Sequence, residues 1–444
     1  MDGYLEELFG PIAGKAKDFV QCVKLLRYNN LGEKQAISRL LHHPKELFET
    51  MGFRDIPSER TLYRAVERVG KAFPIILERH QEMLRRNKLI TDKQHMDFSS
   101  SYFEGKAEAL GAYGYSRDKK SGKKQITFGV SVGVNGIPTA LTIQRGNVSD
   151  KKHFRFMLKA SEAVLEPGSL LIFDCGANTR ENKKAVVDRG FNYLTLRPKK
   201  VGKPYKSAIR AFWASSNRDT FWLNNRDYSC IKRKNGSEYE YIFYSAKLER
   251  DQYRIKEQKY LRKLQKNEPI LRRTKKGKPI GEYFCSEGKV IAKGSLQRTL
   301  DVPPNPLING LEGFFILQSS VDTEPRLILS LYKDRDKAEK LIRNMKEGSE
   351  LRPIRHWNKW AIKGHVLLVF LTNFLLNLTL LRTPDSLVTN GKLLRKYLTK
   401  LTLGVVTLHK RSRFRFLANL TPEIHLIFGD FLDRYEDKTI QLCW

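Results

Sequence analysis

The chain reads as an α/β protein: a helical N-terminal part, a core of strands and helices, a mostly β insertion inside that core, and a helical C-terminal part. Two observations predict this. The apolar pattern changes near Lys93 from helical spacing to short alternating or continuous runs, which is the signature of strands. The stretch between Asp174, which closes one apolar run, and the helical segment around Glu339 is far longer than a strand-to-helix connection in a compact domain, so something is inserted there.

In order along the chain, residues 1–90 are expected to be helical. Glu33 to His42 and Lys45 to Met51 are short helix candidates, and Phe53-Arg54-Asp55-Ile56-Pro57 is a turn. Ser58 then suits an N-cap, with Glu59 in the first turn of the next helix. In that helix Leu62, Val66 and Val69 face a core, while Arg60, Arg64 and Arg68 line the outside. A short helix, a turn and a helix with an arginine stripe is a helix-turn-helix arrangement for a DNA major groove. A small bundle with a basic face has the same pattern.

From Lys93, strands are expected at Asp97–Tyr102, Ile126–Val134 and Thr139–Ile143, with Asn135-Gly136 as a hairpin turn. A helix from His153 to Val164 follows, then the continuous apolar run Leu170–Phe173, read as a strand buried on both faces. Glu181 to Asp188 is helical and Tyr193 to Leu196 is a further strand. Three hairpin-linked strands, a helix and a buried strand is the ribonuclease H-like order. In the insertion, Trp213 to Ser229 and Tyr239 to Tyr244 read as strands and Lys247 to Lys266 as a charged helix. A basic run (Arg272, Arg273, Lys275, Lys276, Lys278) follows, suited to phosphate contact or to a solvated loop. Trp222 is expected in the core, stacking on an unpaired base being the other option. The boundaries are 1–90, 91–196 with 307–385, 197–306 and 386–444.

Three acids draw attention. Asp97 lies in the first strand. Asp174 ends the buried strand just before Gly176, at the carboxyl end where open α/β sheets place ligands. Glu339 lies in a helical segment with Tyr332, Arg335 and Lys346. At about 100° per residue these four fall within roughly 60° of arc, while Ala338, Leu341, Ile342 and Met345 form a neighbouring apolar seam. A carboxylate between two cations and a phenol suits a metal ion and a phosphodiester together. The plainer reading is a solvated face with an Arg335–Glu339 ion pair.

Composition narrows the partner. The 444 residues carry 81 Lys+Arg against 48 Asp+Glu, a net charge of +33, which favours a polyanion, nucleic acid first. A membrane-surface protein would need an anchor. The N-terminal Met1-Asp2-Gly3-Tyr4-Leu5-Glu6-Glu7 is acidic, unlike a signal peptide. The apolar run Val366–Leu381 is shorter than the roughly 20 residues of a spanning helix and carries Asn373 and Asn377, so a buried core helix is expected and no membrane partner. The five cysteines have no CxxC pair, and neither a zinc site nor a disulfide framework is implied. A cytoplasmic location is expected.

The spacing Tyr-x2-Arg-x3-Glu-x6-Lys resembles the signature of DDE transposases of the insertion-sequence-four superfamily. Gly114-Tyr115-Ser116-Arg117-Asp118-Lys119, Gln125–Val130, Asn135-Gly136-Ile137-Pro138 and Gly146-Asn147-Val148-Ser149-Asp150 are similar to that family's blocks after its first Asp. Asn309–Phe315 and Leu351–Trp357 are similar to the blocks flanking its Glu. The resemblance covers roughly residues 90–200 and 305–380. It implies a ribonuclease H-like fold with an insertion at this point, and Asp97, Asp174 and Glu339 as catalytic metal ligands. Two Mg2+ ions, for which Mn2+ could substitute, would sit about 3.5–4 Å apart. Tyr332, Arg335 and Lys346 would contact DNA. The partners implied are terminal inverted repeats and target DNA, with a homodimer as the active complex in a prokaryotic nucleoid. A nuclease that cuts without joining, and an inactive DNA-binding regulator, are the competing expectations.

Overall fold

The computed structural model describes residues 2–16, 18–32, 35–105, 110–200, 202–266, 270–273, 279–286, 289–293, 299–300, 305, 307–383, 390–407, 413–429 and 432–433. The chain forms two compact units, Met1–Asn192 with Asp334–Trp444, and Tyr193–Lys333.

The first unit begins with α1 (Asp2–Ala13), α2 (Phe19–Leu31), α3 (Ile37–Leu40), α4 (Lys45–Thr50), α5 (Glu59–Lys71) and α6 (Phe73–Arg86). Helix α5 starts as its sequence indicates: Ser58 Oγ accepts from the Thr61 amide at 3.2 Å. Leu62, Val66 and Val69 are buried. These helices are not a module apart from the core, because their apolar faces belong to the same cluster as the strands that follow. Those strands are β1 (Lys93–Tyr102), β2 (Gln125–Gly133) and β3 (Pro138–Arg145), antiparallel in sequence. Gly136, at φ +81°, makes the turn between β2 and β3 that Asn135-Gly136 announces. Then come α7 (Asp150–Ser161), a 3-10 turn at Glu162–Val164, β4 (Leu170–Phe173) and α8 (Arg180–Val187). Within this unit the strands lie in the order β3-β2-β1-β4, with β4 parallel to β1. Phe154 of α7 packs on Phe173 of β4, ring centroids 4.6 Å apart.

The second unit contains β5 (Asn192–Leu196), α9 (Lys203–Ala214), β6 (Asp219–Trp222), β7 (Asp227–Asn235), β8 (Glu238–Tyr244), α10 (Ala246–Gln265), β9 (Ile270–Arg273), β10 (Pro279–Ser286), β11 (Lys289–Lys293), β12 (Thr299–Leu300), β13 (Phe314–Ser319) and α11 (Pro325–Lys333). Its strands follow the orders β5-β13-β8-β7-β6 and β12-β11-β10-β9. Two expectations are corrected here. Trp213 is not in a strand: Pro204 opens a helix, and Tyr205, Ala208 and Phe212 bury one helical face. Trp222 is not a core residue but 70% exposed, on strand β6. In the basic run, Lys275, Lys276 and Lys278 lie outside the described residues.

The chain returns to the first unit with α12 (Asp336–Arg343), a π turn at Asn344–Gly348, α13 (Lys359–Arg382), α14 (Gly391–Lys400), β14 (Thr402–Thr407), β15 (Arg413–Ala418) and α15 (Pro422–Phe428). Helix α13 is long and apolar enough to cross a membrane by composition, yet 72% of its apolar window is buried inside the fold. It is the core helix its sequence suggests. The C-terminal part is not all helical, since β14 and β15 pair antiparallel. The alternating and β-branched residues of these two strands suit a hairpin better than a helix.

Buried histidines, His80 and His153 among them, make this unit sensitive to acid. His80 Nδ1 lies 3.0 Å from Tyr4 Oη and Nε2 lies 3.0 Å from the Pro138 carbonyl oxygen. Burial lowers its pKa from 6.5 to about 4. His153, bonded to Thr142 at 2.8 Å, is lowered to about 3 by burial, with Arg117 adding to it. The unfolded chain takes up these protons near 6.5 and the folded chain does not. Stability is therefore full above about 6.5 and is lost as pH falls towards 4, by about 1.4 kcal/mol per pH unit for each proton. A His80→Gln, His153→Gln double variant should show a flatter dependence of melting temperature on pH over that window. An unchanged slope would contradict this.

Candidate active site

The centre of the site follows from strand register. Parallel pairing of β1 with β4 sets His95 opposite Ile172 and Met96 opposite Phe173. The next residue along is Asp97 within β1 and Asp174 just past the end of β4, so the two acids follow directly on a paired position, at the carboxyl end of the parallel stretch, where neighbouring strands lie about 4.8 Å apart. That end of a parallel pair is where α/β sheets bind ligands. Asp97 is held in the strand by its neighbours: Met96 and Phe98 are buried in the core, Phe98 against His153.

Helix α12 packs on β1. The seam read from the sequence is what docks it, since Ala338, Leu341, Ile342 and Met345 are all buried. This brings Glu339 to the site through Arg335. The Arg335 Nη1 lies 3.5 Å from Asp97 Oδ1, and its Nη2 donates to Glu339 Oε1. Burial pushes the Asp97 pKa up to about 6, against the pull of Arg335 and Arg117, with Glu339 adding to the rise. One pleat earlier on β1, His95 is fully buried, and neither ring nitrogen has a hydrogen-bond partner among the described residues. Burial lowers its pKa to about 4, so the imidazole next to Asp97 on this face of β1 is uncharged at neutral pH.

The predicted stripe of four residues is not one helix. Helix α11 ends at Lys333, and Tyr332 belongs to the second unit. A new helix starts at Asp336, after the Lys337 amide bonds the Asp334 carbonyl at 2.9 Å and the Ala338 amide bonds that of Arg335 at 3.0 Å. Beyond Arg343 the turn widens to a π turn, closed by the Ser349 amide on the Asn344 carbonyl at 2.8 Å. The widened turn rotates Lys346 off the line through Arg335 and Glu339. Lys346 is buried, with its Nζ 2.9 Å from Asp118 Oδ1, not presented on an open face. The arginine stripe of α5 divides too. Arg60 and Arg64 are exposed, but Arg68 donates to the carbonyls of Ile12 and Ala13 and lies over the Phe19 ring. Arg68 is used up inside the fold, capping α1.

Sequence reasoning singled out neither Arg117 nor Asp118 as a site residue. Arg117 donates through Nη2 to Asp150, and its backbone amide bonds Ser100 Oγ at 3.2 Å. Asp118 Oδ1 takes Lys346 and, at 2.6 Å, Arg352. These residues come from a loop with no periodicity, so only their appearance inside a recurring block marked them.

The donors near Asp97 are carboxylate oxygens, which suit a hard divalent cation and not zinc. Among the described residues no three acidic, histidine or cysteine side chains stand close enough to enclose one ion together. The Arg335 guanidinium occupies the place between Asp97 and Glu339 where a cation satisfies them. The donor chemistry fits Mg2+ or Mn2+, with Arg335 as the resident counter-charge.

No family model and no curated protein matches the chain. Among solved structures, the chain is similar to a piggyBac transposase in a synaptic complex with hairpin DNA. The TM-score is 0.43 and the identity 9%, over 99% of this chain and 80% of that one. So loose a likeness carries no function with it.

Proposed function

We propose that the chain is a DNA transposase of the DDE type, as its resemblance to the insertion-sequence-four superfamily implies, with the first unit as a ribonuclease H-like phosphoryl-transfer core. The observation that supports the reading is the parallel register of β1 and β4, on whose last pair Asp97 and Asp174 directly follow, with Glu339 linked to Asp97 through Arg335. Asp97, Asp174 and Glu339 would hold Mg2+, which supplies activation of the attacking oxygen and charge stabilisation at phosphorus. Arg335 keeps the acids in place until then, and is freed to meet a substrate phosphate once their charge is met otherwise. His95, buried and neutral, adds no charge of its own beside Asp97. Cutting an element end and joining it to a target are both in-line displacements at phosphorus, so one site can serve both. The net charge of +33 and the exposed Arg60 and Arg64 supply non-specific attraction to the duplex.

The test is purified full-length protein with a supercoiled plasmid carrying the DNA that flanks its reading frame, with and without Mg2+ or Mn2+. Nicks at fixed positions and strand-transfer products are expected. Nicks without joined products would identify a nuclease, and binding without nicks a regulator. Either outcome overturns the proposal.

A further inference from the structure

The first unit holds a cleft of about 430 Å³, with Ser99, Ser100, Tyr115, Arg117, Ser149 and Lys151 in its walls. The acids themselves are not in its wall, which holds the residues two positions beyond each of them, Ser99 after Asp97 and Gly176 after Asp174, so it adjoins the site. Arg117 is the arginine in this wall. Its side chain is 30% exposed, and its charge acts on the Asp97 carboxyl. The guanidinium is oriented by one bond to Asp150, which leaves most of its donors for a ligand.

The residue after it explains how it is held. The Asp118 side chain is 2% exposed and clamped by Lys346 and Arg352 through one oxygen. The Ser100 hydroxyl fixes the Arg117 amide on the other side. The backbone carrying Arg117 is thus pinned on both sides, while its head faces the cleft.

We infer that Arg117 is the residue that contacts a substrate phosphate beside the acids, and that Lys346 is a positioning residue acting on it through Asp118. The inference rests on the phosphoryl-transfer reading of the site and adds a residue to it. A planar fork suits two phosphate oxygens, whereas the Lys346 ammonium is buried and already engaged by Asp118, a bond it would give up to reach a phosphate. Tyr115, 86% exposed, stands at the rim where a nucleotide next to the bound phosphate would lie.

The experiment uses full-length protein and two readouts: nicking of the supercoiled plasmid, and the salt dependence of binding to a short fluorescein-labelled duplex. Arg117→Ala should slow nicking about 100-fold and lower the slope of log affinity against log salt by about one. Arg117→Lys should restore the slope but only part of the rate, because a point charge replaces a fork. Lys346→Met should slow nicking in the wild-type background and add little on top of Arg117→Ala, since the two act as one unit. Its slope should match that of Arg117→Ala, with no further loss in the double variant; Lys346→Arg, which keeps the charge, covers the case in which the Met variant fails to fold. Wild-type slope and nicking in Arg117→Ala would overturn the inference while leaving the functional reading intact. If wild-type protein does not nick at all, the functional reading falls separately, and the slope alone decides whether Arg117 meets phosphate. An additional slope loss from Lys346 in the Arg117→Ala background would make Lys346 a direct contact and overturn its positioning role.

Discussion

Asp97→Asn, Asp174→Asn and Glu339→Gln are each expected to reduce metal-dependent nicking by at least about 10³-fold while leaving duplex binding nearly unchanged. Each change keeps the shape of the side chain and removes the charge that a divalent cation needs. The three should differ in stability. Asp97 is buried enough that its ionised form is disfavoured, and its nearest cation is shared with Glu339. A neutral amide there is expected to melt at the same temperature as wild type or higher, the exchange of activity against stability that charged active-site residues show. Glu339→Gln removes a half-exposed partner of Arg335 and should move the melting temperature little. Thermal melts and plasmid nicking on the same preparations check both halves. Near-wild-type nicking by any one variant would remove that residue from the triad, and loss of activity accompanied by a collapsed melting curve would show only that the fold had failed.

What the sequence made legible, and what it did not, divides along a physical line. Local signals placed the strand ends: the run Leu170–Phe173 stops at Asp174 because a strand buried on both faces must end before a charge. The seam Ala338, Leu341, Ile342 and Met345 placed the face by which α12 docks. The register on whose last pair Asp97 and Asp174 directly follow depends on residues far apart in the chain and has no local signature. Helical spacing also assumes that the helix continues. Between Tyr332 and Lys346 it stops once and widens once, and each event turns the residues beyond it away from the stripe. A lysine at the right offset therefore ended inside the protein, on an aspartate from a loop. Trp222 shows the opposite error: a tryptophan is usually buried, but the open face of strand β6 leaves this one in solvent.

The arginine pattern of residues 1–90 suggested a separable DNA-reading module, and the packing of α5 against α13 argues that these residues cannot be removed. The two helices touch through backbone. A Cβ placed on Gly364 would lie 1.9 Å from the Val66 carbonyl oxygen, and one on Gly70 would lie 1.8 Å from that of Trp360. Neither neighbour is a flexible side chain that could step aside, so a methyl group at either position must push the helices apart. Since α13 is the buried core helix and α5 carries the apolar face of the N-terminal part, that displacement opens the centre of the first unit. Gly364→Ala is expected to cost about 3 kcal/mol, the upper end of the usual overpacking range, even though alanine favours a helix over glycine by about 1 kcal/mol. Gly3→Ala, a helical position with nothing within 4 Å of the added carbon, is the control and should be neutral or slightly stabilising. Removing residues 1–90 altogether should leave a chain that does not fold, because Leu62, Val66 and Val69 would no longer cover α13. Circular dichroism melts of the two glycine variants, with a solubility test of the deletion, check the whole argument. A soluble, cooperatively melting 91–444 fragment would return residues 1–90 to the status of an appended DNA-binding domain.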